Sequence, residues 1–337
     1  MCAEIETIIN HFIQAKIQNM FNLKQYRTVL CLFGTLSMVG LNSCEKSTME
    51  PVDETVTPGE LKYPLFVEYW GVLPEYKIAD FGLVKAEDVP EGTDIVHLFV
   101  FDKSKGSDGT WKITNRFDSE YNMPIQKEEI PVTIVDGIRL IQDRGIRVIF
   151  SIFTPKVVDA QDADLFAKTC LAFTEKWKLD GVEIDLEGEP TSTHLLPALG
   201  KYFGPKANNG KILAVVDYNQ YNISHIKNAN QYLDYVNTMS YWNTSSEIAA
   251  VLKPYADAMG DAKKVLIGVG GGPAITPGQA TPRGEEIKIA QWLKANSPGT
   301  GMMNFIMDAD YAVKKTDGSI SRSMAYSQGI IANLKPQ

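Results

Sequence analysis

Eight short apolar runs recur along this 337-residue chain, and stretches with helical periodicity lie between most of them. The runs are 64–69, 94–101, 147–153, 181–187, 212–217, 235–241, 265–269 and 302–307. Candidate helices are 131–144, 163–178, 192–203, 246–259 and 283–294, with a closing helix at 321–334. Alternation of strands with helices predicts parallel βα units, and eight such units close into one barrel. We therefore predict an α/β fold, a single-domain (β/α)8 TIM barrel over residues 63–337.

An open, doubly wound sheet is the competing arrangement of the same elements. It would need a glycine-rich phosphate-binding turn near the first strand, and the sequence has none there. The glycine triplet 270–272 comes too late in the chain, after the seventh run. We interpret it as a loop that lets backbone approach a ligand or neighbour, or as plain turn chemistry. The barrel is therefore favoured.

The longest connection is predicted after the second strand, over residues 102–130, and it is rich in Lys, Ser, Gly and Asp. In a barrel the loops that follow the strands lie on the catalytic face, so this loop is a candidate for substrate contact. Trp111, Phe117 and Tyr121 in it are suited either to stacking on sugar rings or to packing the loop onto the barrel.

Charge limits the partners that this chain can bind. The formal net charge is -8, and no cluster of Lys and Arg stands out. Because phosphate binding needs a basic face, we expect no nucleic-acid partner, and an uncharged or modestly polar substrate is favoured. We expect a monomer.

The segment before the barrel has the order of a secretory signal. Lys24 and Arg27 precede the apolar run 29–39, and the tetrad Leu-Asn-Ser-Cys ends at Cys44. We predict a signal peptide region over 1–44, with Met20 as the true start, because the apolar run is too short to span a bilayer. A buried N-terminal helix with an incidental cysteine is the alternative.

The tetrad that ends at Cys44 resembles a bacterial lipobox, which implies a lipid on that cysteine. Residues 45–62 are mostly polar, with Pro51 and Pro58, and suit a flexible tether. We therefore expect a bacterial cell-envelope protein, lipid-anchored to the outer membrane or the cell surface, whose only membrane contact is the lipid anchor.

The stretch 180–187, Asp-Gly-Val-Glu-Ile-Asp-Leu-Glu, alternates apolar and acidic residues with the period of a strand. Glu183, Asp185 and Glu187 therefore share one face, which lines the barrel axis if the apolar residues between them face the helices. A solvent-facing acidic stripe on an edge strand is the alternative. Acids at the carboxyl end of a barrel strand are typical of catalysis, with Glu187 nearest the mouth.

This octapeptide resembles the fourth-strand signature of glycoside hydrolase family 18, Asp-Gly-x-Asp-x-Asp-x-Glu. The segments 239–241, Met-Ser-Tyr, and 301–308 resemble the sixth and eighth strands of that family. The chain departs from the family in four places. Glu183 replaces the innermost Asp, Trp242 replaces a frequent Asp, Phe305 replaces a Trp, and 151–154 reads Ser-Ile-Phe-Thr instead of Ser-x-Gly-Gly.

The resemblance implies catalytic roles for three residues. Glu187 would protonate the glycosidic oxygen, Asp185 would orient the substrate's 2-acetamido group as the nucleophile, and Tyr241 would donate its hydroxyl to the acetamido oxygen. Glu183 and Asp180 would support them. On its own, Tyr241 also fits a core tyrosine with a satisfied hydroxyl.

Further polar and aromatic residues at strand ends are candidates for sugar binding. They are Asn243, Trp242, Asp217, Tyr218, Asn219 and Phe305. The histidines His97, His194 and His225 show no metal-ligand spacing, so we expect no metal, and no cofactor is implied.

About thirty residues separate the seventh strand from the eighth, too few for the small domain that walls the groove of many chitinases. The open cleft and the lipoprotein signal resemble bacterial endo-β-N-acetylglucosaminidases, and the implied partners are glycans or glycoproteins that contain N-acetylglucosamine. A chitinase is the alternative enzyme. A non-catalytic glycan-binding surface protein is the alternative of another class, although retention of Glu187 favours an enzyme.

The lipid attachment can be tested directly. We expect Cys44→Ala to move the protein from the membrane fraction to the soluble fraction of a bacterial host, because the substitution removes the acceptor of the lipid. Fractionation followed by immunoblotting measures this. Identical distribution of the native and substituted proteins would rule out the lipoprotein interpretation.

Overall fold

The computed structural model describes residues 60–71, 84–115, 127–187, 191–270, 280–314 and 320–336. The predicted signal region 1–44 and the predicted tether as far as residue 59 lie outside these ranges, as do Phe117 and Tyr121. Within the described part of the chain, no helix is long and apolar enough to cross a membrane.

Eight parallel strands form a closed barrel, which confirms the predicted fold. In chain order the strands are β1 (Phe66–Gly71), β2 (Ile95–Lys105), β4 (Arg147–Phe153), β5 (Gly181–Leu186), β6 (Ile212–Asp217), β7 (Tyr235–Thr238), β8 (Val265–Gly270) and β9 (Gly301–Phe305), with β3 (Trp111–Asn115) outside the ring. Each barrel strand pairs with its neighbours, and β1 pairs with both β2 and β9, which closes the ring. Each predicted run overlaps one barrel strand.

Helices surround the barrel. They are α1 (Val132–Asp143), α2 (Ala160–Trp177), α3 (Leu195–Leu199), α4 (Gly204–Ala207), α5 (Ile223–Ala229), α6 (Ile248–Met259), α7 (Glu285–Asn296), α8 (Met307–Tyr311) and α9 (Ala325–Leu334). A short antiparallel hairpin, β10 (Ala312–Lys314) with β11 (Ile320–Arg322), precedes α9. The predicted helices at 131–144 and 246–259 agree with α1 and α6 to within two residues.

The helix predicted over 192–203 is confirmed only in part, because α3 covers 195–199 and α4 begins beyond the predicted range, at Gly204. Gly204 has φ +74°, a conformation that favours glycine, and a Cβ there would lie 2.0 Å from the main-chain oxygen of Tyr232. A Cβ on Gly200 would lie 2.3 Å from the ring of the same tyrosine. The close approach of the segment at Tyr232 therefore requires glycine at both positions, and α3 ends before Gly200.

The long connection after β2 is partly a hairpin. Strand β2 continues to Lys105, and β3 returns antiparallel to it. The parallel pairing of β2 with β4 has a register shift between Leu98 and Phe101. The indole nitrogen of Trp111 donates to Asp162 on α2 at 2.9 Å, and its ring packs edge-on against Phe166. Of the two alternatives for Trp111, the structure shows packing onto the barrel.

The barrel strands bury side chains on both faces. Outward residues pack in the layer between the strands and the helices. The ring of Phe150, for example, lies 5.5 Å from that of Phe101 on β2 and 5.0 Å from that of Phe173 on α2, measured between centroids. Inward residues such as Val67 and Ile149 fill the lumen. The outer layer is the larger apolar core, and the lumen also contains the polar residues of the site.

Truncation in the outer core should be costly. Phe150 is fully buried, so we expect Phe150→Ala to lower the free energy of unfolding by about 3–5 kcal/mol, because the cavity removes ring contacts and buried area. Urea unfolding monitored by circular dichroism measures it. Leu165→Ala on the exposed face of α2 is the matched control, with an expected change within about 0.5 kcal/mol. Equal losses in both variants would contradict this description of the core.

Candidate active site

Strand β5 places three carboxyl groups in a row that rises through the lumen. The apolar residues Val182 and Ile184 face outward and are buried in the outer core, so Glu183 and Asp185 face the lumen. Glu183 is 0% exposed and Asp185 is 3% exposed. Glu187 follows the end of the strand and is exposed. The row therefore runs from the buried interior of the barrel to its exposed mouth.

Glu183 is surrounded by polar groups from other strands. The hydroxyl of Tyr69 on β1 donates to it at 2.7 Å from either carboxylate oxygen. The amide nitrogen of Asn237 on β7 donates to Oε1 at 2.7 Å. Nδ1 of His97 on β2 lies 3.0 Å from Oε2. Glu183 therefore lies in a polar pocket of the lumen, with hydrogen-bond donors from β1 and β7 and the ring of His97 in close contact.

Asp185 and Glu187 form an electrostatically linked pair. Burial raises the pKa of Asp185 well above its ordinary 3.8, Glu187 and then Glu183 act in the same direction, and Lys103 opposes them. Desolvation also raises the pKa of Glu187 above its ordinary 4.5. Such a pair titrates as a unit and retains protons that isolated carboxyls would lose.

One oxygen of Asp185 is unsatisfied in the part of the chain that the structure describes. Its Oδ1 is buried, and no donor among the described residues reaches it. An unsatisfied buried acceptor costs about 1–3 kcal/mol, so it marks a position where a donor from another molecule would be stabilising. The position lies directly below Glu187.

A cavity of about 550 Å³ opens beside the pair. It is lined by Lys103, Phe153, Thr154, Pro155, Lys156, Val157, Asp185, Glu187 and Ser192. The volume falls within the roughly 300–1,000 Å³ of small-molecule sites. The cavity therefore gives a ligand direct access to both acids.

Aromatic side chains form a continuous group near the mouth. Tyr241, which follows β7, stacks on Phe305 of β9 with ring centroids 5.5 Å apart and planes at 22°. Trp242 meets Tyr241 at 6.4 Å and Tyr218 at 5.8 Å, both edge-on. The main-chain oxygen of Tyr241 accepts the hydroxyl of Thr281. The predicted residues Tyr241, Trp242, Tyr218 and Phe305 are therefore brought together.

Two predicted acids lie elsewhere. Asp180, at the start of β5, is at the opposite end of the strand from Glu187 and accepts hydrogen bonds from Gln142 and from the Val148 backbone, both at 2.8 Å. Asp217 is fully buried, and Asn222 and Tyr255 donate to its carboxylate at 3.0 and 2.8 Å. Protein partners therefore occupy both carboxylates.

The two predicted asparagines occupy loop positions. Asn219 is exposed after β6 and has φ 51°, a conformation that asparagine tolerates better than most residues. Asn243 is half-buried after Trp242, and its backbone N–H donates to Ser240.

The sequence interpretation did not select Tyr69, His97, Asn237 or Lys103 for the site. Tyr69, His97 and Asn237 lie on inward positions of barrel strands, where polar residues interrupt an apolar pattern. That interruption is the signal that would have found them. Among the residues that the structure describes, no cluster of three His, Cys, Asp or Glu side chains suits a metal ion.

A family model, the endo-β-N-acetylglucosaminidase EndoS TIM-barrel domain, matches residues 76–271. An endo-β-N-acetylglucosaminidase of Bifidobacterium longum subsp. infantis is 24% identical over 231 residues, which are 63% of this chain and 42% of that protein. Endo-β-N-acetylglucosaminidase F2 of Elizabethkingia meningoseptica is 31% identical over 127 residues, which are 34% of this chain and 37% of that protein. The chain thus spans about two fifths of the length of these curated relatives.

The fold is also similar to solved structures. The catalytic domain of a family GH18 chitinase from the fern Peteris ryukyuensis superposes with a TM-score of 0.59 at 19% identity, covering 81% of this chain and 100% of that one. At this identity the likeness shows a shared barrel fold.

Because folding raises the pKa of Asp185, ionisation of this group at neutral pH lowers the free energy of unfolding. A group whose pKa is raised by folding contributes stability below its unfolded pKa, near 3.8, and that contribution is lost as the pH rises through the folded pKa. We expect Asp185→Asn to unfold at higher urea than the native protein near pH 7, with an advantage that shrinks as the pH falls.

Asp164 on α2 is the control of opposite sign. Hydrogen bonds from Lys201 and Lys168 lower its pKa to about 2, so Asp164→Asn should lose stability above the ordinary value of 3.8. An Asp185→Asn variant that is less stable than the native protein near pH 7 would contradict the assignment.

Proposed function

This chain belongs to the endo-β-N-acetylglucosaminidase EndoS TIM-barrel family, within glycoside hydrolase family 18, and on that premise we propose that it is an endo-acting glycosidase. The proposed substrate is the core of N-linked glycans. The enzyme would cleave the β-1,4 bond between the two core N-acetylglucosamines and leave one sugar on asparagine. The names of the two bacterial relatives support this class of activity.

The observation that carries the proposal is the unpartnered Oδ1 of Asp185 below Glu187. The 2-acetamido group of N-acetylglucosamine offers an N–H donor of the right chemistry for this oxygen. Its carbonyl oxygen can then attack the anomeric carbon, so the substrate supplies its own nucleophile. The Asp185 carboxylate would stabilise the positive charge that develops on the acetamido group.

Glu187 is suited to act as the general acid and then as the general base. It is exposed to the cavity, and its raised pKa favours the protonated form that the first step requires. In that step it protonates the leaving glycosidic oxygen. In the second step the resulting carboxylate removes a proton from water, which opens the oxazolinium intermediate with retention of configuration.

Tyr241 would donate its hydroxyl to the acetamido oxygen during the attack. Stacking on Phe305 and the Thr281 hydrogen bond restrict its ring and its backbone. A hydroxyl fixed in advance loses little entropy when the transition state forms. Trp242, Tyr218, Asn219 and Asn243 would contact the glycan beyond the scissile bond.

The open surroundings of the site favour a branched glycan over a chitin chain. Only residues 271–300 connect β8 to β9, and the described part of this segment contains the single helix α7. A lipid anchor at Cys44 would hold the barrel at the cell envelope, where it would meet extracellular glycoproteins.

A defined N-glycoprotein tests the proposal. Incubation with the native protein should release glycans that carry one N-acetylglucosamine at the reducing end, and mass spectrometry should find one N-acetylglucosamine left on the peptide. Chitin oligosaccharides serve as the comparison substrate. Release of chitobiose from chitin without action on the glycoprotein would favour a chitinase, and binding without release from either would favour a glycan-binding protein.

Glu187→Gln should abolish turnover while glycan binding survives, because the amide keeps the shape but has no transferable proton. General acid–base assistance is typically worth about 10²- to 10⁴-fold, so kcat should fall by at least that range. Glu175→Gln, on the exposed face of α2, is the matched control and should leave kcat unchanged. Unchanged hydrolysis by Glu187→Gln would remove Glu187 from the mechanism.

A further inference from the structure

Two main-chain oxygens immediately before Glu187 accept hydrogen bonds from side chains outside β5. They belong to Asp185 and Leu186, and Glu187 is the first residue after the strand. The last paired residue of β5 is Leu186, opposite Asp217 of β6. Glu187 therefore lies beyond the strand ladder, and its position depends on the contacts that hold the main chain just before it and just after it.

Thr154, which follows β4, binds the main-chain oxygen of Asp185 twice. Its N–H donates at 3.0 Å and continues the ladder between β4 and β5, and its hydroxyl donates to the same oxygen at 2.5 Å. Thr154 stands where the family pattern Ser-x-Gly-Gly ends in glycine. Because glycine has no hydroxyl, the second hydrogen bond is an addition of this chain to that pattern.

Asn222, which precedes α5, reaches both ends of the stretch that contains Glu187. Its side-chain nitrogen lies 3.4 Å from the main-chain oxygen of Leu186, and its Oδ1 lies 3.5 Å from the main-chain nitrogen of Thr191. Both are long hydrogen bonds, and both join buried groups. A carbonyl only accepts and an N–H only donates, so these two partners fix which way the amide of Asn222 points.

Asp217 and Tyr255 hold Asn222 in this orientation. Oδ1 of Asp217 accepts the main-chain N–H of Asn222 at 3.2 Å and its side-chain amide at 3.0 Å. Oδ2 accepts the hydroxyl of Tyr255 on α6 at 2.8 Å, and the oxygen of that hydroxyl accepts the N–H of Gln220 at 3.1 Å. Asp217 is fully buried, so its carboxyl group supports Asn222 from within the protein.

We propose that Thr154 and Asn222 are positioning residues for the proposed glycosidase reaction: acting from the two sides of β5, they hold Glu187 where it can reach the glycosidic oxygen. The inference rests on the proposed function only in giving Glu187 the role of the general acid. A misplacement of about 1 Å can cost about a hundredfold in rate, so a fixed main chain at this point bears directly on kcat. Neither side chain carries a charge, so its loss should act through the position of Glu187.

Asp185 should be affected less than Glu187. It is paired with Phe153 of β4 and with Val216 of β6, and its main-chain oxygen keeps the N–H of residue 154 when the hydroxyl is removed. Orientation of the acetamido group by Asp185 should therefore survive the loss of either side chain. Protonation of the leaving oxygen by Glu187 should not, and this difference can be measured.

Thr154→Val removes the hydroxyl and keeps the size of the side chain, whereas Thr154→Ser keeps the hydroxyl. With a defined N-glycoprotein, we expect kcat to fall about ten- to a hundredfold in Thr154→Val with KM unchanged, and to stay near the native value in Thr154→Ser. A raised KM with native kcat would indicate a direct contact with the glycan and overturn the positioning role. Thr169→Val on α2 is the matched control, because the hydroxyl of Thr169 also donates to a main-chain oxygen, that of Leu165, at 2.9 Å.

Asn222→Ala removes the amide that reaches Leu186 and Thr191, so kcat should fall on the same scale as in Thr154→Val. Asn296→Ala on α7 is the matched control, since that amide donates to the main-chain oxygen of Trp292 at 2.8 Å. If Asn222→Ala does not fold, Tyr255→Phe provides the decision. It removes the hydroxyl that binds Asp217 and keeps the ring, and kcat should fall by a smaller factor with KM unchanged.

The leaving group separates a displaced acid from general damage. A nitrophenyl glycoside of the same glycan needs little protonation to lose its aglycone, because nitrophenol is a much stronger acid than a sugar hydroxyl. Its kcat/KM should therefore stay near the native value in Thr154→Val and Asn222→Ala. Equal losses on the glycoprotein and on the nitrophenyl substrate would overturn the proposal. A native kcat on the glycoprotein in either variant would overturn the role of that residue.

Crystal structures without substrate separate this inference from the proposed function. In both variants Glu187 should shift by about 1 Å while Asp185 stays in place. If the native protein releases no glycan but Glu187 shifts in the variants, the proposed function fails and the positioning of Glu187 stands. If the native protein is active and Glu187 does not move in the variants, the inference fails alone.

Discussion

Accommodation of Glu183 in the lumen is the condition on which the rest of the site depends. A buried carboxyl group without hydrogen-bond partners is costly, so the acid needs donors from elsewhere in the chain. They come from β1 and β7, while His97 of β2 lies in close contact, and Tyr69 is 114 residues from Glu183 in sequence. These strands meet only in the closed ring. Closure of the barrel and assembly of the site are therefore one structural event.

The strand period then produces a gradient of solvation. Each step of two residues moves a side chain about 6.6 Å along a strand. Glu183 is buried and surrounded by polar groups, Asp185 is buried but incompletely hydrogen-bonded, and Glu187 is exposed. Three similar acids thus have three different environments along one strand. The acid that lacks a hydrogen-bond partner among the described residues is the middle one, Asp185.

Local sequence patterns were sufficient to predict the strands and insufficient to predict the polar contacts around the acids. The bounds of β4 and β6 agree with the predicted 147–153 and 212–217 because each is a compact apolar run. Helix 192–203 was overestimated, since the close approach of Tyr232 to Gly200 and Gly204 is a tertiary effect.

Among the candidate site residues, alternation placed Glu183 and Asp185 on the lumen face. Asp217, the last residue of its strand, has its carboxylate bound by Asn222 and Tyr255, which sequence alone does not reveal. His97 was not selected for the site, because its contacts are with Tyr235 and Glu183 on other strands. Such contacts leave no periodic signal along the chain.

Asp162 on α2 attaches both strands of the β2–β3 hairpin to the helical layer. Asp162 accepts Lys105 at 2.6 Å and Trp111 at 2.9 Å, so both strands of the hairpin are attached to α2 beyond the ring. The turn between them, 106–110, is exposed and makes its own hydrogen bonds through Asp108. Insertions or deletions at that tip leave this attachment and the nearby Lys103 in place. The length of this hairpin, and with it the shape of the cleft, can therefore change during evolution while the acids at the floor of the cleft keep their positions.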